Sequence, residues 1–154
     1  MAVTRYRAEC ALANLRVLVV EDEYFLADDM AQALREVGAR VIGPVPSRDR
    51  ALALLAEQPV DVAVLDINLK GETVYPVADA LRAKGVPFVF ATGYDSRAVP
   101  DGYKDVPRWE KPFLPKYLAA TLSGLVAAAW TARTVKPVAS SDGAASPQRT
   151  ISAQ

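Results

Sequence analysis

Apolar segments of strand length alternate along this chain with segments whose apolar residues recur at spacings of three and four. The segments RVLVV and DVAVLDI are apolar almost throughout, which is typical of strands buried on both faces. Regular alternation of strands and helices predicts a parallel sheet with helices on both faces and right-handed crossovers. The predicted strands are residues 16–20, 39–43, 61–67, 87–92 and 107–111, and the predicted helices lie within residues 26–37, 47–59, 76–85 and 114–130.

Helix boundaries are marked by residues with known terminal preferences. Gly38 follows the first helical stripe, and Ser47 precedes the second in the position of a capping residue. Pro76 stands early and Gly85 late in the third predicted helix. Residues 93–106 contain the turn sequence Pro-Asp-Gly, which leaves little room for a regular fourth helix.

The two ends of the chain differ in composition from its middle. Of the 154 residues 51% are hydrophobic, which is enough for one domain with a substantial core. We predict an N-terminal extension over residues 1–14, a single domain over residues 15–131 and a disordered tail over residues 132–154. The tail is rich in Ser, Ala and Pro and has no periodic apolar pattern, so it buries too little surface to order itself.

Charge and residue usage exclude several classes of function. Lysine plus arginine and aspartate plus glutamate each total 18, so nothing indicates an electrostatic surface for nucleic acid or membrane. The chain has no histidine, which excludes histidine-based catalysis and histidine metal sites. Cys10 is the single cysteine, which fits a reducing compartment. Since there is no signal peptide pattern and residues 117–132 fall short of a membrane span, we expect a cytoplasmic location.

Polar and charged residues follow the predicted strands at their carboxyl ends. Glu21 and Asp22 end the first strand, Asp66 the third, Thr92 the fourth and Lys111 the fifth. In a parallel sheet these ends meet at one rim, where ligands bind. Three carboxylates suit Mg²⁺, and a carboxylate can attack phosphorus to form an acyl phosphate. We therefore expect Mg²⁺-dependent phosphoryl transfer to Asp66, with Thr92 and Lys111 binding phosphoryl oxygens.

The motifs EDE, LDI, FAT and KPF, each at a predicted strand end, give residues 15–130 a resemblance to the receiver domain of two-component response regulators. The resemblance implies an α/β, flavodoxin-like, doubly wound sheet of five parallel strands in the order 2-1-3-4-5. It also implies a single-domain phosphoprotein of a phosphorelay, phosphorylated on Asp66 by a histidine kinase. Such a chain is a phosphoacceptor that catalyses only its own phosphorylation and dephosphorylation.

The same resemblance assigns roles to individual residues. Asp22 and Asp66 would ligate Mg²⁺, Glu21 would assist through a water molecule, and the backbone carbonyl of Asn68 would add a further ligand. Thr92 and Lys111 would sense the phosphoryl group. The resemblance also implies a cis peptide bond before Pro112.

A narrower resemblance rests on NLKGE (68–72), YPVADAL (75–81) and PFVFATGYD (87–95). These segments are similar to the subgroup named for its F-A-T-G-Y motif, whose members pair with kinases of the HWE and related types and often have a short or irregular fourth helix. The common receiver pattern places Tyr or Phe where this chain has Arg108, beside Trp109. We therefore hypothesise that Thr92, Gly93 and Tyr94 form the switch, which Tyr94→Ala would test through phosphorylation-dependent partner binding.

Other interpretations of these residues stay open. Glu21, Asp22 and Glu23 taken alone could simply favour the dipole of a helix N-terminus. A phosphatase with an aspartyl nucleophile fits poorly, because dehalogenase-like enzymes place D-x-D after the first strand. A pseudo-receiver that binds without phosphorylation and a phosphate sink are the remaining alternatives.

Output is expected through protein contact, since no DNA-binding domain is expected after residue 130. The last predicted helix is apolar on all sides between Leu125 and Trp130, so a second cover is expected there. The N-terminal extension or a second subunit, as in a homodimer, would supply it.

Overall fold

The main sheet has five parallel strands in a computed structural model that describes residues 12–93, 99–111 and 113–134. Its order is β2-β1-β3-β4-β5, which confirms the predicted flavodoxin-like fold and the order 2-1-3-4-5. The strands are β1 (Arg16–Val20), β2 (Arg40–Val45), β3 (Val62–Asp66), β4 (Phe88–Thr92) and β5 (Arg108–Glu110).

In the part of the chain that the structure describes, four α-helices cover the two faces of the sheet. One apolar cluster lies between the sheet and helices α2 and α3, and the other lies between the sheet and helices α1 and α4. Within the described residues, no helix combines the length and apolarity needed to cross a membrane. The helices are α1 (Tyr24–Glu36), α2 (Arg48–Glu57), α3 (Tyr75–Ala83) and α4 (Pro115–Thr134).

The predicted helix ends are confirmed by backbone geometry. Gly38 adopts a φ of +92° after α1, and the Arg50 amide donates a hydrogen bond of 3.3 Å to Ser47 Oγ at the start of α2. Pro76 lies in the first turn of α3. Each of these residues therefore marks the helix end at which the sequence placed it.

Residues on both sides of the predicted domain are ordered with it where they are described. Helix α4 continues to Thr134, so residues 132–134 of the predicted disordered tail are helical. Leu12 of the predicted extension is fully buried in the cluster beneath α1 and α4, and its amide donates to the Val37 carbonyl at 3.1 Å. Residues 1–11 and 135–154 lie outside the described residues, so the domain limits themselves stay a prediction.

Two connections carry structure of their own. Asn68–Leu69 and Glu72–Thr73 form a short antiparallel ribbon after β3, which the sequence did not predict. Its turn has positive φ at Lys70 and Gly71. Between β4 and β5, the described residues 99–106 contain a single 3₁₀ turn, Asp101–Tyr103, which agrees with the expected lack of a regular helix there.

Strand β2 is longer than predicted and passes through a constrained glycine. It continues beyond Gly43 to Val45, and Pro44 is tolerated because β2 is an edge strand. The only cis peptide bond in the described residues joins Gly43 to Pro44. Gly43 has a φ of +90°, and a Cβ there would lie 2.8 Å from the Val45 nitrogen and 3.1 Å from the Val19 carbonyl oxygen.

Gly43→Ala is therefore expected to lower the free energy of unfolding by about 1–3 kcal/mol, because both the backbone conformation and the space exclude a side chain. Urea denaturation measures this change. Gly124→Ala is the matched control, because a Cβ at this helical glycine meets nothing within 4 Å. The control should leave stability unchanged or raise it by up to about 1 kcal/mol. Equal changes in the free energy of unfolding for the two substitutions would contradict the proposed requirement for glycine at position 43.

Candidate functional site

Three carboxylates converge at the carboxyl end of the sheet. Glu21 and Asp22 directly follow β1, and Asp66 is the last residue of the neighbouring strand β3. One oxygen from each of these side chains lies within 4.8 Å of the others. The parallel pairing of β1 with β3 brings these residues together, as the sequence predicted for this rim.

Lys111 directly follows the edge strand β5, and its side chain extends to the same site. Its Nζ lies 2.8 Å from Glu21 Oε2 and 3.2 Å from Asp66 Oδ2. The Lys111 amide donates a hydrogen bond of 2.8 Å to the Thr92 carbonyl, which fixes the backbone from which the side chain extends. With 18% of its side chain exposed, the ammonium group lies between two buried acids.

Burial and like charge displace the acid–base equilibrium of Asp66. The Asp66 residue is 6% exposed, and burial, reinforced by the negative charge of Glu21, raises the pKa of its carboxyl to about 7 although Lys111 opposes the shift. Burial lowers the pKa of Lys111, but its interactions with Glu21 and Asp66 outweigh burial and raise that pKa above its ordinary value. The metal-free site thus holds more negative charge than one ammonium group compensates.

The donor set fits a hard divalent cation. All three side chains offer carboxylate oxygens, which Mg²⁺ prefers. The buried Glu21 Oε2 accepts no hydrogen bond of good geometry from the described part of the chain, although it lies close to Lys111 Nζ. Its other oxygen, Oε1, accepts a bond of 3.1 Å from the Glu23 amide. A cation at this site would therefore compensate charge that the protein leaves only partly paired.

Asn68 and Thr92 complete the predicted set around Asp66. The Asn68 amide donates a hydrogen bond of 3.3 Å to Asp66 Oδ1, while the Asn68 side chain accepts one from the Gly71 amide at 3.1 Å. Thr92 is 2% exposed and follows Ala91, which pairs with Asp66 across β3 and β4. The Asn68 carbonyl as a metal ligand stays a prediction.

Other predicted residues lie beside the cluster or outside the described residues. Glu23 is exposed at the start of α1, outside the group that could hold a metal. Gly93 is exposed directly after β4. Tyr94 and Pro112 fall outside the described residues, so the switch role of Tyr94 and the cis bond before Pro112 stay predictions.

Trp109 has a packing role in the structure. It packs against the cluster beneath α1 and α4, with its ring centroid 5.8 Å from that of Phe113. Because side chains alternate along a strand, Arg108 points to the opposite face, where it is exposed. The aromatic position of the common receiver pattern is therefore filled by an exposed guanidinium in this chain.

An open cavity of about 200 Å³ adjoins the acids and gives access to them.

Asp22 and Asp28 both line this cavity, and substituting each of them tests whether the acids bind a metal ion. Asp22→Asn removes one of three carboxylates and is expected to weaken Mg²⁺ binding on the order of 10–100-fold. Asp28→Asn should leave the affinity nearly unchanged, because Asp28 is outside the cluster. Isothermal titration with MgCl₂ measures both, and equal affinities for the two variants would contradict the assignment.

Comparison with known proteins agrees with this geometry. The family model of the response regulator receiver domain matches residues 17–105 of this chain. The solution structure of SdrG from Sphingomonas melonis Fr1 is 35% identical, with a TM-score of 0.61, and the match covers 76% of this chain and 98% of SdrG. The sensory transduction protein RegX3 of Mycolicibacterium smegmatis is 42% identical over 83 residues, which are 52% of this chain and 35% of RegX3.

The phyllosphere-induced regulator PhyR of Methylorubrum extorquens is 30% identical over 112 residues, which are 70% of this chain and 42% of PhyR. The chain therefore spans between about a third and less than half of the length of these two curated relatives.

Proposed function

Because the chain belongs to the response regulator receiver domain family, we propose that it accepts a phosphoryl group from a histidine kinase onto Asp66. The observation that carries this proposal is the surroundings of Asp66. Its buried carboxyl ends β3 beside Glu21 and Asp22, within reach of a shared cation, and Lys111 Nζ lies 3.2 Å from its Oδ2. The side chains proposed as nucleophile, metal ligands and binding group for the phosphoryl oxygens therefore lie at one rim of the sheet.

Asp66 acts as the nucleophile in this proposal. One of its oxygens forms a bond to phosphorus while the phosphorus–nitrogen bond of a phosphohistidine breaks, and the imidazole leaves with the electron pair. Mg²⁺, held by Asp22 and Asp66, with Glu21 through water and the Asn68 carbonyl, would neutralise charge on the phosphoryl oxygens.

Lys111 and Thr92 bind the product in this scheme. The Lys111 ammonium leaves the Asp66 carboxylate and contacts one phosphoryl oxygen. The Thr92 hydroxyl binds a second phosphoryl oxygen. Both residues are already tied together, because the Lys111 amide bonds to the Thr92 carbonyl. The same two side chains would then hold the acyl phosphate and signal its presence.

The partner and the output belong to the proposal as well. The segments at 68–72, 75–81 and 87–95 favour a kinase of the HWE or a related type. We further propose a cytoplasmic protein that signals by protein contact and acts on no separate substrate.

Phosphotransfer from a labelled kinase tests this function. A purified HWE-type kinase domain, labelled on histidine, is mixed with the wild type, Asp66→Asn or Asp49→Asn in the presence of Mg²⁺. We expect label on the wild type and on the Asp49→Asn control, whose exposed acid lies in the first turn of α2, and none on Asp66→Asn. Label on Asp66→Asn would contradict Asp66 as acceptor. If the wild type accepts label from no kinase of this type, the proposed type of partner kinase is wrong.

A further inference from the structure

Helix α4 is longer than α1, the helix beside it. Both helices start near the carboxyl end of the sheet, α1 after β1 and α4 after β5, and they pack side by side over one apolar cluster. At about 1.5 Å per residue, the 13 residues of α1 span about 20 Å and the 20 residues of α4 span about 30 Å. The last two turns of α4 therefore extend about 10 Å beyond the level at which α1 ends.

One side of α4 changes from buried to exposed along the helix. Ala119, Val126 and Trp130 stand at positions i, i+7 and i+11, so they lie on the same side. Ala119 is 3% exposed and Val126 packs against the cluster beneath α1 and α4, whereas Trp130 is 62% exposed. No charged residue lies between positions 117 and 132. The end of α4 thus presents an apolar surface at the level where α1 no longer covers it.

The N-terminal part of the chain enters the domain at this same level. The amides of Leu12 and Asn14 donate hydrogen bonds of 3.1 and 3.0 Å to the carbonyls of Val37 and Gly38, directly after α1. Leu12 is fully buried in the cluster beneath α1 and α4. The residues that precede Leu12 are therefore attached to the domain beside the exposed end of α4.

The sequence of residues 1–11 suits an apolar helix face. Val3, Tyr6 and Cys10 recur at spacings of three and four, while Thr4 and Arg5 between them are polar. In a helix these three apolar side chains would share one side. Eleven residues of helix span about 16 Å, which is enough to cover the last two turns of α4.

We propose that residues 1–11 dock on the apolar end of α4, with Val3 and Tyr6 against Trp130. Because Leu12 anchors the segment beside this surface, docking is intramolecular and benefits from a high effective concentration. A second copy of the chain lacks this advantage. While the segment is docked, it closes the end of α4 to other proteins. The inference does not depend on phosphorylation of Asp66.

Nuclear Overhauser contacts test the docking in the full-length protein. The chain has two tryptophans, so Trp130→Phe assigns the indole signals. We expect contacts from the Trp130 ring to the side chain of Val3, of Tyr6 or of both, and the absence of both contacts would overturn the inference. An isotope-filtered experiment on mixed labelled and unlabelled chains detects contacts between copies. If the contacts appear only between copies, a second copy covers α4 and the inference is wrong.

A matched pair of substitutions supplies a second readout. Tyr6→Asp places a charge on the apolar side of the segment, and Thr4→Asp places the same charge away from that side. We expect Tyr6→Asp to make hydrogen exchange of a peptide over residues 126–134 at least about 3-fold faster than in the wild type, because the end of α4 loses its cover. Thr4→Asp should leave this exchange unchanged, and a peptide over α2 is the internal control. Equal exchange at residues 126–134 in the two variants would overturn the inference.

Discussion

Lys111→Met should lower the free energy of unfolding of the metal-free protein by about 3 kcal/mol at pH 8, because it leaves two buried carboxylates without their cation. Glu21 and Asp66 are 2% and 6% exposed, so water compensates them poorly. The methionine keeps the length of the aliphatic stem, which limits the loss of packing. At pH 5 the loss should be smaller, because Asp66 then takes up a proton. Added Mg²⁺ should restore much of the stability at pH 8.

Lys104→Met is the matched control for Lys111→Met. Lys104 pairs with Asp101 at 2.7 Å, but the two side chains are 65% and 93% exposed. Such a surface pair contributes less than about 1 kcal/mol. Urea denaturation of both variants, with and without Mg²⁺, compares the two environments. If Lys111→Met costs no more than Lys104→Met, the central role of Lys111 in the charge balance of the site is wrong.

The stability of the metal-free protein should fall as pH rises from about 4 to about 7, through the titration of Asp66. Its carboxyl has a pKa of about 7 in the folded protein and 3.8 as the ordinary value, mainly because burial disfavours its charge. The folded protein therefore binds this proton more tightly than the unfolded chain does, and the resulting stabilisation is complete below pH 4 and lost above pH 7.

Asp66→Asn removes this titration and should be more stable than the wild type by about 1–3 kcal/mol at pH 8 without metal, since each unit of pKa displacement corresponds to about 1.4 kcal/mol. The advantage should vanish near pH 4. Mg²⁺ should stabilise the wild type at pH 8 much more than the variant. Urea denaturation at several pH values measures the difference, and a constant difference from pH 4 to pH 8 would contradict the raised pKa.

The sheet and the position of the site could be predicted because their signals are local. Continuous apolar segments such as Val17–Val20 are typical of strands buried on both faces. Gly38 marks a helix end through its positive φ, and Ser47 marks a helix start through its side-chain hydrogen bond. The topology of parallel sheets then places the carboxyl ends at one rim. No contact between distant residues had to be known in advance.

Other features depend on tertiary context and gave no local signal. Pro44 lies within β2 because that strand is at the edge of the sheet, where one missing amide donor is tolerated. In the folded chain, Tyr75 of α3 and Phe90 of β4 pack against Tyr103 of the segment before β5. Their aromatic rings are far apart in the sequence, so only the folded chain shows that they stack.

Four of the predicted site residues lie together in the structure, but one of their interactions was not predicted. Glu21, Asp22, Asp66 and Lys111 converge as expected. The ion pair of Lys111 with Glu21 was not predicted, because the sequence indicated that Lys111 would bind phosphoryl oxygens. Without a phosphoryl group, the negative charges nearest to the Lys111 ammonium are those of the acids themselves. The ammonium therefore pairs with the acids.

Intact mass spectrometry after incubation with Mg²⁺ and a small phosphodonor such as acetyl phosphate tests the central claim most directly. We predict a single phosphoryl adduct on the wild type and none on Asp66→Asn or on wild type treated with a chelator. Peptide mapping after borohydride reduction should locate the adduct at Asp66. A folded wild type that binds Mg²⁺ yet gains no adduct from either acetyl phosphate or a cognate kinase, or an adduct that persists in Asp66→Asn, would contradict the account.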